Sequence, residues 1–139
     1  MQVAYDVLVG FHVTCALIGF GSVAVSGAYG ALGRRPENEG ELKRYLASPG
    51  RAEYLILVAP LFGIAALAVR PSGSDFWSAW AVGGLVIWVT ASALLLGVVR
   101  PAEESLRSAG TGASRLMWAA GACDTLFVIA LLLMVTQPG

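Results

Sequence analysis

Charge is scarce in this chain. Only 13% of its 139 residues are Asp, Glu, Lys or Arg and 57% are hydrophobic, with a mean hydropathy of +0.72. An average soluble domain carries roughly 25% charged residues, so a water-soluble single domain is excluded. Nine acidic side chains balance nine basic ones, which removes the net positive surface that nucleic acid requires. Histidine occurs once and cysteine twice, without C-x-x-C spacing. A bis-histidine haem within one chain is thereby excluded, and neither a dithiol redox motif nor a structural disulfide is expected. Phosphate-loop, G-x-S-x-G and H-E-x-x-H patterns are all missing. The glycine-rich stretch from Gly19 to Gly33 lies inside an apolar helix rather than in a phosphate-binding turn, so the reading is non-enzymatic.

What the chain does have is four apolar runs, each long enough to cross a bilayer: 3–32, 52–69, 76–99 and 116–136. None alternates apolar with polar residues as a barrel strand must, so the backbone has to satisfy itself as helix. The fold class is an all-α polytopic membrane protein, a single membrane domain built as a four-helix up-down bundle. No Lys or Arg precedes the first run, so that run reads as a retained helix rather than a cleaved signal. Arg34, Arg35, Lys43, Arg44 and Arg51 lie in the first connection and Arg100, Arg107 and Arg115 in the third, whereas the second has only Arg70. The positive-inside rule then places connections one and three in the cytoplasm and both termini outside. The compartment implied is the bacterial inner membrane. Tyr5, Phe76, Trp77 and Trp80 form an outer aromatic belt and Tyr29, Tyr54 and Trp118 an inner one, with Trp88 left near mid-bilayer. Pro71 and Gly73 supply a tight second turn. Residues 36–46 read either as a short interfacial helix or as a solvated loop, and 101–114 as a loop.

Helix faces carry the remaining information. At 100° per residue Gly19, Ser22, Ser26 and Gly30 share one stripe, a small-x-x-x-small series that lets another helix approach closely. Ala79, Gly83 and Gly84 do the same for the third helix, where Thr90 and Ser92 can bond back to their own turn. Pro60 cannot donate to the Ile56 carbonyl and Gly63 follows within a turn, so a kink is expected there. Two ionisable groups stand out in apolar surroundings, His12 in the first helix and Asp124 in the fourth. A lone intramembrane acid needs a partner or a proton; counted from the helix ends, His12 falls within reach of Asp124, and the two form a candidate polar pair. His12-x-x-Cys15 also sets imidazole and thiol one turn apart, and Met117, Cys123 and Met134 are soft ligands. His12, Cys15 and Met117 are therefore the candidate ligands for copper or haem, although no cofactor is the first expectation.

In the Phe11-His12 pair followed by a small-residue helix, and in the ending Leu131-Leu132-Leu133-Met134-Val135-Thr136-Gln137-Pro138-Gly139, the chain resembles bacterial integral-membrane proteins of unknown function that hold four helices in about 140 to 150 residues. The His-bearing helix is also similar to one in the larger copper-resistance D membrane proteins, a likeness that implies copper at His12. The function expected is that of a non-enzymatic accessory subunit of a larger membrane complex, respiratory or transport. Its partners are the lipid bilayer and other membrane subunits, with a homo-oligomer as the further option. The contrasting class is a small transporter or a copper- or haem-binding membrane protein using His12, Cys15 and Asp124.

Overall fold

The computed structural model describes residues 2–47, 52–70 and 76–136. Among these residues every regular element is helical: α1 (Gln2–Leu32), α2 (Glu39–Ala47), α3 (Leu55–Ala68), α4 (Ala79–Leu94), α5 (Arg100–Ala109) and α6 (Ala113–Thr136). Two short 3-10 turns, Pro36–Asn38 and Ala52–Tyr54, precede α2 and α3, and a π turn, Leu95–Val99, joins α4 to α5. Three stretches are long and apolar enough to cross a membrane: Gln2–Leu32, Ala79–Ala109 and Ala113–Thr136. The segments Glu39–Ala47 and Ala52–Ala68 qualify only together, as a pair bent by 55°. By itself α3 is about 21 Å long at 1.5 Å per residue, short of the roughly 30 Å hydrocarbon layer.

Glycine sets how closely α1 approaches its neighbours. A methyl group built on Gly19 would stand 2.7 Å from the Ile56 backbone nitrogen of α3, and one on Gly27 would stand 2.5 Å from the Ala120 Cβ of α6. Both contacts are near backbone to backbone, as small residues allow where lipid gives helices no hydrophobic reason to associate. Gly30 meets Ala113 and Leu116 in the same α1–α6 seam, and Phe20 stacks on Phe127 at 4.7 Å further along it. α4 packs on α6, with Gly83 against Leu133, and more lightly on α3. The core is lined by Val23, Ile56, Ala91, Leu95, Val99, Leu116 and Cys123, each at most 1% exposed.

One expectation changes, and between the two alternatives for the first connection the helix is the one found. Residues 101–109 are helix rather than loop, because Arg100–Ala109 buries Ala102, Glu103 and Leu106 on one face while Glu104 and Arg107 face out. The π turn opens the backbone ladder just where Pro101 has no N–H to contribute, with the Arg100 N–H reaching back to the Leu95 carbonyl, so the helix continues. The reversal is instead confined to Gly110–Gly112. Gly110 takes φ 67°, and its N–H bonds the Leu106 carbonyl at 3.1 Å while that of Thr111 reaches Ser105 at 3.4 Å. The first connection, in turn, contains the helix α2, tucked under the C-terminal end of α1 and against α5. Pro71 and Gly73 lie outside the described residues.

Polar residues separate by end. Arg34, Arg35, Lys43, Arg44, Arg100, Arg107 and Arg115 gather where α1 ends and α6 begins, whereas Arg70 lies at the other end, 5.7 Å from the Trp80 ring centre.

Candidate functional site

Between α1, α3, α4 and α6, in the half of the bundle that contains the α1 N-terminus, lies a cavity of about 360 Å³. Its walls are apolar and aromatic, with Phe20, Trp80, Trp88 and Phe127 presenting ring surface and His12 the imidazole. Pro60 explains part of this architecture. Lacking an N–H, it leaves the Ile56 carbonyl without a helical partner, and Trp88 of α4 fills the role, its Nε1–H donating to that oxygen at 2.9 Å. The mid-helix tryptophan is thus a tether between α3 and α4, and α3 runs unbroken through Pro60. His12 makes the matching link from α1: its Nδ1 stands 2.7 Å from the Ala59 carbonyl. Gly63 leaves room for the ring, since a methyl there would come within 3.0 Å of Nδ1 and 3.1 Å of Cε1.

The opposite half of the bundle carries a second polar centre. Glu53 and Glu103 are 2% and 1% exposed, and Arg100 bridges them with its Nη1 3.1 Å from Glu103 Oε2 and 3.8 Å from Glu53 Oε2. Ser26 Oγ donates to Glu53 Oε1 at 2.9 Å; since its single proton goes there, the Tyr45 hydroxyl donates to Ser26 at 2.7 Å. Tyr45 stacks on Tyr29 at 4.2 Å, Arg100 lies over the Tyr54 ring at 5.0 Å, and Arg107 Nη2 donates to the Leu46 carbonyl at 3.0 Å. Buried carboxylates are tolerated only when paired and hydrogen-bonded. The cluster therefore fixes α1, α2, α3 and α5 to one another, and its chemistry is that of a lock.

Asp124 belongs to neither centre. It is half-buried at the midpoint of α6, with no hydrogen bond or ion pair among the described residues. Beside it on that face Gly121 and Thr125 are exposed, and a methyl added to Gly121 would meet nothing within 4 Å.

The structure does not bring His12 and Asp124 together. Phe20 is level with Phe127 and Gly27 with Ala120, which puts Asp124 level with Val23. His12 is therefore about 16 Å away along the axis at 1.5 Å per residue. Equal counting from the helix ends fails because α1 extends well past the end of α6. The candidate metal set is likewise dispersed. Cys15 is half-buried next to His12 but does not line the cavity, while Met117 is level with Gly30, about 27 Å from His12 by the same measure. Cys123 is buried in the core, and Met134 does line the cavity. Among the described residues no group of three or more His, Cys, Asp and Glu is placed to hold a metal ion. Of the packing stripe, Gly19, Ser26 and Gly30 are buried and Ser22 is half-buried. Thr90 bonds back to the Val86 carbonyl at 2.9 Å, but the buried Ser92 hydroxyl does not.

Sequence reasoning missed Glu53, Tyr45, Arg100 and Glu103 as a unit. The available signal was that Glu53 and Arg100 sit at the ends of two adjacent apolar runs on the same side, so opposite charges share one depth. No known protein family, curated protein or solved structure matches the chain.

Proposed function

We propose that this chain is a non-enzymatic subunit of a larger membrane assembly, crossing the bacterial inner membrane four times with both termini outside. The observation that carries the reading is Asp124. An ionised carboxylate at the bilayer centre costs about 2.5 to 3.5 kcal/mol even on lenient scales, and such residues face a protein partner or a polar path. Asp124 has no hydrogen-bond or ion-pair partner among the described residues and lies on a face opened by Gly121 and Thr125, the small residues that admit another helix. Its occupant is a transmembrane helix of another subunit that offers a hydrogen-bond donor at that depth. Topology follows from the separation of basic residues, seven at the polar end and Arg70 at the other, with the basic end cytoplasmic.

The small-residue stripe on α1 does not add to this argument, because Gly19, Gly27 and Gly30 are consumed within the chain. The test is extraction of the C-terminally tagged protein from native membranes in mild detergent, with quantification of what accompanies it. Stoichiometric membrane subunits are expected with the wild-type chain and should be lost, or reduced at least tenfold, with Asp124→Leu. A chain that leaves the membrane alone, or partners unaffected by Asp124→Leu, would contradict the proposal.

A further inference from the structure

His12 is wedged so that only one of its nitrogens is free to act. The Ala59 carbonyl, 2.7 Å from Nδ1, can only accept, so Nδ1 carries the proton of the neutral ring. Nδ1 and Cε1 are the atoms packed toward Gly63. That leaves Nε2 as a lone-pair acceptor with no hydrogen bond among the described residues, on a side chain that lines the cavity. A backbone carbonyl that accepts from one ring nitrogen and so fixes the tautomer is the arrangement by which proteins aim an imidazole lone pair at a ligand. Trp88 Nε1 is committed to the Ile56 carbonyl, and the remaining polar groups of the lining side chains, the Tyr5 hydroxyl and the Trp80 indole N–H, can donate to a ligand oxygen.

The cavity that the His12 side chain lines constrains what can meet that lone pair. Its volume of about 360 Å³ falls within the roughly 300 to 1,000 Å³ of small-molecule sites, which are mostly apolar with few oriented polar groups. Trp80 and Trp88, beside the stacked Phe20–Phe127 pair, make an aromatic lining suited to an aromatic ring. Lining residues Leu17, Ile64 and Leu85 are 52%, 48% and 48% exposed on the outer surface, so the cavity opens sideways along an apolar rim that a hydrocarbon tail can follow into the bilayer. A carbonyl or ether oxygen set against Nε2 would place lone pair against lone pair, whereas a hydroxyl would donate to it.

We infer that this cavity binds an aromatic hydroxyl carried on a hydrocarbon tail, the chemistry of a reduced lipid quinone, with the hydroxyl donating to His12 Nε2. The inference does not depend on the subunit reading, since Asp124 does not line the cavity and His12 lies about 16 Å along the bundle from it.

Three probes test it on the full-length protein in lipid nanodiscs, read by saturable change in tryptophan fluorescence. They are 4-decylphenol, its methyl ether 4-decylanisole, and 4-decylcyclohexanol. The phenol should bind about tenfold more tightly than the ether, the worth of one hydrogen bond within an otherwise unchanged contact, and more tightly than the cyclohexanol. His12→Ala should bring phenol and ether to the same affinity. Gly84→Leu, at a lining position where a Cβ meets nothing within 4 Å, should fill the cavity and abolish saturable binding of all three. Equal affinity for phenol and ether in the wild-type protein overturns the inference whether or not the variants fold. So does a preference that survives His12→Ala, or the lack of saturable binding. Equal affinity for phenol and cyclohexanol overturns the aromatic assignment.

Discussion

Glu53 and Glu103 are almost wholly enclosed, and a carboxylate in that position is stable only while a cation and donors face it. Arg100 touches both. Arg100→Met should therefore destabilise the protein by roughly 1.5 to 3 kcal/mol, because it removes a cation that faces both buried carboxylates. The double variant Arg100→Met with Glu53→Gln should recover part of that loss, as expected of groups that couple directly. Unfolding in detergent micelles, followed by circular dichroism, measures both; additive losses would show that the pair does not interact. Ser26→Ala removes a buried donor to Glu53 and should cost about 1 kcal/mol or more by the same assay. The role of Ser26 was only half legible in the sequence. Its small size in a Ser-x-x-x-Gly series marks it for packing, but that its hydroxyl meets Glu53 depends on where α3 begins. Asp124 was legible without any structure, because a carboxylate inside an apolar run is anomalous wherever its helix packs.

Among the elements, α3 is held from outside at two of its carbonyls. Its Ile56 carbonyl is served by Trp88 and its Ala59 carbonyl by His12. Trp88→Phe should cost about 1 kcal/mol through loss of that donor. In a Pro60→Ala background the helix regains its own N–H for Ile56, so the same substitution should cost less. A double-mutant cycle with no coupling would show that Trp88 does not serve the carbonyl that Pro60 releases. At the α1–α6 seam, Gly27→Val would drive a side chain into Ala120 and should cost about 1 to 3 kcal/mol. Gly21→Val, on an exposed face where a Cβ meets nothing within 4 Å, should be close to neutral. Existence and approximate limits of the four apolar runs were readable from hydropathy, since length without charge is enough to specify helix. The continuation through Leu95–Val99 to Ala109 was not. Pro101 and the charges around it are loop signals, and only tertiary burial of Ala102, Glu103 and Leu106 overrides them.

The whole molecule divides into a locked polar end, built around Glu53, Arg100 and Glu103, and a hollow aromatic half lined by His12. Neither centre engages Asp124, and on the proposed subunit reading the α6 face that carries Asp124, Gly121 and Thr125 is where another helix docks. The sequence could flag the acid but not which direction it faced, because that depends on the register of α6 against α1. A photo-crosslinking residue placed at Gly121 in native membranes tests the central claim most directly, with one at the exposed Val86 of α4 as reference. The account predicts a discrete protein adduct from position 121 that disappears with Asp124→Leu, and lipid adducts alone from position 86. Lipid adducts alone from both positions would contradict it.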